Sequence, residues 1–380
     1  MRVTGDWLTR PQTQAVCALL TDAGYRALLV GGCVRNALLG EAVADVDIAT
    51  DAEPVTVLRH AEGAGLRAVP TGIAHGTVTV VADGIPHEVT TFRQDVETHG
   101  RHATVAFSTR VEEDAARRDF TMNALYATPD GTVIDPLNAL PDLVARRLRF
   151  VGDAGARITE DYLRILRFFR FHAWYGDPQA GLDAEALAAC AAHSAGLDRL
   201  SRERVGAETR KLLSARDPAP AVAAMAQAGI LRHVLPGADA RALPVLVHLE
   251  AGRRPDWLRR LAVLGGKDAA ERLRLSRAES KALNSLRAGL SSNDPPATLG
   301  YRYGPDMAAN VVLARAALLE APPAPGWDKD IAQGAAARFP VSAADLMPQL
   351  SGAALGEKLA ALEARWIASG FRLRREDLLR

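Results

Sequence analysis

Residues 26–50, RALLVGGCVRNALLGEAVADVDIAT, are the stretch on which the reading of the fold turns. Arg26–Val30 is short and apolar and runs into Gly31-Gly32, so it reads as a buried strand ending in a turn. Cys33–Leu39 resumes as a short helix and stops at Gly40. Ala44–Ala49 then alternates, with Asp45 and Asp47 on one side, which is strand period. Alternate side chains of a strand share a face, about 7 Å apart at the backbone. Two carboxylates placed so repel each other unless a cation joins them. Carboxylates together with phosphate oxygens suit Mg²⁺. A pair of such ions about 4 Å apart stabilises the attacking and leaving oxygens of phosphoryl or nucleotidyl transfer. Taken alone, the tripeptide fits a solvated strand edge equally well. Gly31-Gly32 ahead of a helix is the kind of turn whose backbone N–H groups hold phosphate, with Arg35 one helical turn inside. A plain strand-to-helix turn carrying a surface arginine is its other reading.

Outward from this stretch, Pro54–Ala64 reads as a helix with proline in its first turn. Thr77–Val81 and His87–Phe92 flank Asp83-Gly84, a hairpin signal. Gln94–Ala106 is polar and unpatterned and is expected to be a mobile loop, and Gly131–Asp135 is another short strand. Strands, helix and hairpin are interleaved, which points to a mixed sheet. From Thr159 the texture changes. EDYLRILRFFRFHAWYG, ALAACAAHSAGL, LSRERVGAETRKLL and APAVAAMAQAGIL all have helical spacing, as does the closing GAALGEKLAALEARWIAS. Leu243–Leu249 is the exception and looks strand-like. The prolines at 295–296 and 322–325 are candidate joints. The expected class is α+β, a head with a small mixed sheet and helices followed by an all-helical remainder.

The chain has 380 residues, 48% hydrophobic and 24% charged, which suits a soluble globular protein of several domains. No apolar run reaches about 18 residues, so no transmembrane helix and no membrane partner are expected. The first residues lack the apolar core of a signal peptide. Cys17, Cys33 and Cys190 are odd in number and far apart, which fits neither a disulfide framework nor a zinc knuckle. A reducing cytoplasm is the expected home. Residues 1–145 carry 11 arginines and no lysine against 19 acidic residues, a net −8, while residues 146–380 carry 35 basic against 26 acidic, a net +9. An acidic first third suits metal ions and a basic remainder suits a polyanion, although solvated surface explains the charge as well.

Asp161, Arg164, Arg167 and Arg170 recur every three residues, so neighbours lie one turn apart on a drifting helix face. Leu163, Ile165, Leu166, Phe168, Phe169 and Phe171 take the other sides, which leaves the charged stripe toward a groove or water. With Glu160 the stripe also reads as an ion-pair ladder.

LVGGCVRNALLG…DVDIAT resembles the signature of the class II tRNA nucleotidyltransferases, the CCA-adding enzymes and bacterial poly(A) polymerases. Five further blocks resemble the family in the same order: TGIAHGTVTV…HEVTTFR at 71–93, RRDFTMNAL at 117–125, IDPLNALPDLVARRLR at 134–149, EDYLRILRFFRF at 160–171 and LSRERVGAETRKLL at 200–213. Together they cover roughly residues 26–213, and the C-terminal half resembles the helical body and tail more loosely.

The resemblance implies Mg²⁺-dependent addition of C, C and A to the 3′ end of tRNA from CTP and ATP. It implies a catalytic head at 1–145, a neck at 146–215, a body at 216–295 and a tRNA-binding tail at 296–380, with no protein partner evident. Asp45 and Asp47 match the metal-binding pair, and Glu88 a third carboxylate that supports the metals or deprotonates the incoming hydroxyl. Gly32, Arg35 and Arg118 match nucleotide contacts. Asn123 matches a residue near the sugar, or else is a buried structural amide. Asp161 and Arg164 match the residues that read the Watson–Crick edge of the base, with Arg167 and Arg170 bracing them or meeting phosphate. A carboxylate accepts from the amino group of C or A, a guanidinium donates to ring nitrogen or carbonyl oxygen, and G and U present the reversed edge.

Two positions depart from the family pattern. Asn36 stands where Asp is usual, and Leu137-Asn138-Ala139 where Gly-Gly is usual. Asn138 would tolerate a positive φ better than Ala139. No His-Asp dipeptide occurs, so no appended phosphohydrolase domain of that type is expected. His75, His99 and His102 read as loop or strand residues rather than metal ligands. Poly(A) polymerase or partial CC- or A-adding activity is the alternative within the family, and an RNA-binding protein with an inactive head the alternative outside it.

Overall fold

The computed structural model describes residues 1–99 and 102–380. They form two compact units, Met1–Val234 and Leu235–Arg380.

The first unit is built on a seven-stranded mixed sheet. Its strands are β1 (Leu28–Val30), β2 (Asp47–Thr50), β3 (Arg67–Gly72), β4 (Thr77–Ala82), β5 (Ile85–Thr91), β8 (Tyr126–Ala127) and β9 (Val133–Ile134), in the order β3-β4-β5-β2-β1-β8-β9. β2 runs antiparallel to β1 and parallel to β5. Leu29, Ile48, Val78, Val80 and Val89 are fully buried and make its apolar layer. β4 and β5 meet at Asp83 and Gly84, both at positive φ (46° and 82°). Two such residues give the turn whose twist matches the strands, and this is the hairpin expected there.

The helices at Gly32–Leu39 and Pro54–Gly63 also stand where expected. Three expectations are corrected. β2 begins only at Asp47, so Asp45 lies in the irregular stretch before it rather than on the strand. Gln94–Ala106 does not form an irregular loop. Arg93–His99 (β6) and His102–Phe107 (β7) make a two-stranded antiparallel ribbon, and positions 100 and 101 of that segment lie outside the described residues. Its base is pinned by buried Phe92, whose carbonyl accepts the Ser108 N–H at 2.7 Å. A polar ribbon needs no apolar period, because backbone hydrogen bonds alone can hold it. The third correction is Leu243–Leu249, a helix burying Leu243 and Leu246, with Pro244 in its first turn.

The helix Leu163–Tyr175 buries Ile165, Leu166, Phe168, Phe169 and Phe171. Phe168 and Phe171 pack against Phe120, which also meets Phe150 at 4.9 Å between ring centroids. The helix Arg202–Leu213 lies against the same element.

The second unit, Leu235–Arg380, is helical. The helices Pro296–Tyr303 and Trp327–Ala336 cross in backbone contact. A Cβ on Gly300 would lie 2.3 Å from the Ile331 carbonyl oxygen, and one on Gly334 1.7 Å from that of Ala297, so only glycine fits at either. Glu250 lies buried between Arg259 and Arg260, accepting at 2.8 and 2.9 Å. Arg315 donates to the carbonyls of Gly289, Ser292 and Asp294 and so closes the C-terminal end of the helix Arg277–Ser291. Among the described residues no helix is long and apolar enough to cross a membrane.

Candidate active site

β1 ends at Val30, and the chain turns on Gly31 at φ 70°, a backbone that a side chain would strain. The helix Gly32–Leu39 starts there with no side-chain cap, which leaves first-turn N–H groups for an anion. Arg118 overhangs the turn, its Nη1 3.6 Å from where a Gly31 Cβ would stand.

The sheet register places the carboxylates. Asp47 pairs with Val30 on one side and Glu88 on the other. Registered neighbours share a face, about 4.8 Å apart, so Asp47 and Glu88 stand side by side beside the glycine turn. Asp45, two residues earlier, is exposed like both of them, while Val46 between the aspartates is buried. Crowding by the surrounding protein, followed by the charges of Glu88 and Asp45, pushes the Asp47 carboxyl up to about 6 against the pull of Arg118. An all-oxygen donor set that resists its own ionisation fits a hard divalent cation. Among the described residues no three His, Cys, Asp or Glu side chains close into a ready metal cage, so substrate oxygens would have to complete the shell.

The segment 114–126 forms the opposite wall. Asp114 is buried and accepts from Arg117, Arg118 and the Tyr126 hydroxyl, at 2.7 to 2.8 Å. Burial alone would raise its carboxyl, but Arg118 and Arg117 hold it well below the usual range. Arg118 also donates from Nε to Tyr126 at 2.9 Å. Arg118 is thus held rigid between Asp114 and the turn.

Arg35 is 6% exposed. Its Nε and Nη2 donate to Asn36 Oδ1 (3.1 and 2.8 Å), its Nη1 to Asn123 Oδ1 (2.5 Å) and its Nη2 also to the Tyr175 hydroxyl (2.8 Å). The structure therefore places Arg35 beneath the turn, in the seam with Leu163–Tyr175. Asn123, 7% exposed, is a buried amide that passes the contact on to Asp119 Oδ1 at 2.9 Å. Asn36, the residue standing where Asp is usual, acts here as the acceptor for Arg35. Asn138 takes φ 53°, as expected of it, with the Asp135 carboxylate accepting the next two N–H groups at 2.7 and 2.9 Å.

The stripe at 161, 164, 167 and 170 is half-buried at every third position, as its spacing predicts. It is not one helix. Ala154–Glu160 ends, Asp161 is extended (φ −151°), and Leu163–Tyr175 begins anew with its first N–H on Asp161 Oδ1 at 3.1 Å. Of the ion-pair ladder read with Glu160, the rung Glu160–Arg164 is present, while Asp161, Arg167 and Arg170 pair with residues outside the stripe. Asp161 accepts two hydrogen bonds from Arg204, at 3.1 and 2.6 Å. Arg164 pairs with Glu160 and donates to the carbonyls of Arg157 (2.8 Å) and Arg117 (3.3 Å). Arg167 donates to Asp119 at 2.7 Å and Arg170 to Glu208 at 2.6 Å. Burial would raise the Asp119 carboxyl, but Arg167, with Asn123 and the Phe120 N–H, brings it down to about 2. Asp119, Tyr175, Arg204 and Glu208 were not singled out from sequence. All four lie inside the motif stretches 117–125, 160–176 and 200–213, but nothing in their spacing announces the partner.

The description "Poly A polymerase head domain" fits residues 27–149, and "Probable RNA and SrmB- binding site of polymerase A" fits residues 181–241. The chain is 33% identical over 395 residues to CCA tRNA nucleotidyltransferase 1, mitochondrial, of Mus musculus, a match spanning 96% of this chain and 88% of that protein. It is 35% identical over 337 residues to the CCA-adding enzyme of Geobacillus thermodenitrificans (strain NG80-2), covering 84% of this chain and 80% of that protein. Among solved structures, the Bacillus stearothermophilus CCA-adding enzyme in complex with CTP superposes with a TM-score of 0.77 at 28% identity, over 95% of this chain and 94% of that one.

Proposed function

This chain belongs to the class II tRNA nucleotidyltransferases, the family of the CCA-adding enzymes, and on that premise we propose that it adds C, C and A to the 3′ end of tRNA from CTP and ATP, releasing pyrophosphate. The observation that carries the reading is the registered pair Asp47 and Glu88 beside the uncapped glycine turn under Arg118.

Asp45 and Asp47 would hold Mg²⁺, with Glu88 beside them. Bound there, the ion supplies charge stabilisation for an in-line displacement at the α-phosphate. The protein's own groups do the rest. The turn at Gly31-Gly32 and Arg118 hold the triphosphate, and Glu88 faces the incoming 3′-hydroxyl as acceptor. Asp161 and Arg164 read the base edge. Arg204 uses only part of the capacity of the Asp161 carboxylate, which has about four lone-pair sites. With the Leu163 N–H also on Oδ1, three of those sites are taken, and Arg204 thereby orients the carboxylate with one acceptor left on Oδ2 for the amino group of C or A. Arg167 and Arg170, tied to Asp119 and Glu208, brace the reading helix. Arg35 acts from beneath the turn.

The divisions we propose are a head at 1–145, a neck at 146–215, a body at 216–295 and a tail at 296–380. The basic part of the chain would meet tRNA phosphates, recognising shape more than sequence, and we place the enzyme in the cytoplasm.

The test is incubation with tRNAs lacking the last one, two or three nucleotides, with each nucleoside triphosphate alone. Stepwise C, C, A addition that stops after A supports the reading. Continued A addition makes the chain a poly(A) polymerase, and absence of any metal-dependent incorporation leaves an RNA-binding protein.

A further inference from the structure

We propose that Tyr175 is a positioning residue: through the Arg35 guanidinium it fixes the helix Leu163–Tyr175 to the phosphate turn and so sets the distance between the site that holds the triphosphate and the site that reads the base. The proposal rests on the functional reading above.

The helix has 13 residues, about 20 Å of length at 1.5 Å per residue. Beside the packing of Phe168 and Phe171 on Phe120, three side-chain hydrogen bonds among the described residues tie it to the head. Arg164 reaches the Arg117 carbonyl near its start, Arg167 reaches Asp119 in its second turn, and Tyr175 reaches Arg35 at its last residue. Only the third ends on the helix that opens at Gly31-Gly32. The Arg35 guanidinium lies 4.0 Å over the Tyr175 ring, and its Nη2 is 3.7 Å from where a Gly32 Cβ would stand. The Nη2 that donates to the Tyr175 hydroxyl is thus the atom nearest the turn, so one guanidinium adjoins both the turn and the end of the reading helix.

These bonds close a ring. From Tyr175 the path runs through Arg35, Asn123 and Asp119 to Arg167, which lies on the same helix two turns earlier. One tether would let a helix pivot. A ring through two points of the helix opposes both sliding along its axis and rolling about it. The Arg35 hydrogen-bond acceptors are Asn36, Asn123 and Tyr175, all neutral. A buried cation held by neutral acceptors depends on the geometry of each one, so the single Tyr175 hydroxyl matters although it carries no charge.

The test is Tyr175→Phe, which keeps the ring over Arg35 and removes the acceptor. Steady-state kinetics for C and A addition would be measured with misincorporation of U and G and a melting curve. Displacement of the reading helix by a fraction of an ångström predicts a fall in kcat of roughly ten- to hundredfold for both correct nucleotides. Misincorporation rises, while tRNA affinity and melting temperature stay close to wild type. In an Arg35→Ala background, Tyr175→Phe should cost nothing further. A lower melting temperature with unchanged kcat and unchanged selectivity overturns the proposal, as does full additivity with Arg35→Ala. Should Tyr175→Phe fail to fold, Asn36→Ala loosens the same guanidinium at Nε and Nη2 and carries the same expectations. An active wild type with unaltered variants overturns this proposal alone. A wild type that incorporates no nucleotide overturns the functional reading and this proposal with it.

Discussion

Asp161 is gripped by Arg204 from a neighbouring helix, and not by Arg164 one turn along its own path. The carboxylate that we propose reads the base is therefore oriented from outside the stripe to which it belongs. Arg204→Ala should free that carboxylate to swing. Base-edge contacts are each worth about 1–3 kcal/mol in discrimination, so misincorporation of U and G should rise by roughly tenfold or more. Arg164→Ala should do the same by removing the donor itself. Incorporation of all four nucleotides beside a melting curve checks this. Unchanged selectivity in both variants would place base reading elsewhere.

Asp45→Ala and Asp47→Ala should abolish transfer and leave the fold and tRNA affinity nearly intact. The carboxyls repel each other in the free protein, so deleting one relieves strain instead of creating it. A thermal melt should show no loss, and wild-type turnover should vanish in chelator. Robust turnover in either variant would remove the pair from the chemistry.

Asp119 makes stability depend on acid. Its carboxyl ionises at about 2 in the folded chain and near 3.9 when unfolded. Because the folded value is the lower one, its contribution is complete above about pH 4 and is lost as pH falls toward 2. The difference is worth about 2 kcal/mol. Asp119→Asn should lower stability at neutral pH and flatten the acid limb in that window. A limb of unchanged slope, followed by circular dichroism against pH, would refute this account.

Glu250→Ala should be among the most damaging substitutions in the second unit. It would leave the Arg259 and Arg260 guanidiniums buried without their shared carboxylate, a loss of roughly 3–5 kcal/mol. Chemical denaturation measures it. A near-neutral outcome would mean that water enters and replaces the carboxylate.

Binding of tRNA should weaken steeply with salt, because contacts between the basic residues of 146–380, net +9, and phosphates release counterions. A flat salt dependence would make that charge mere solvated surface.

What the chain announces and what it conceals follow from range. The apolar run into Gly31-Gly32 and the turn at Asp83-Gly84 were legible because both signals are local. The three-residue recurrence at 161–170 disclosed which side chains share a face. It could not disclose the break at Asp161, where no proline or glycine stands and where the aspartate's own side chain caps the following helix. The ribbon β6-β7 hid because polar strands have no apolar period. Leu243–Leu249 was ambiguous because a short run of Leu and Val suits either period. Arg204 and Tyr175 were invisible as partners, since Asp161 is 43 residues from the one and Arg35 is 140 from the other.

The register of β2 against β5 makes the acidic pair a property of alignment between two lengths of chain. Amino-acid exchange on the solvent side leaves such an alignment untouched. A one-residue deletion inside either strand would turn Glu88 or Asp47 to the opposite face of the sheet. Lengthening the surface stretch after the helix Pro54–Gly63 would be absorbed at small entropic cost. Outside the acidic site, the solvent-facing positions of these strands should therefore accept exchange, while the spacing within 47–50 and 85–91 stays fixed, so that a gain or loss of one residue inside either strand does more harm than most exchanges on their open face.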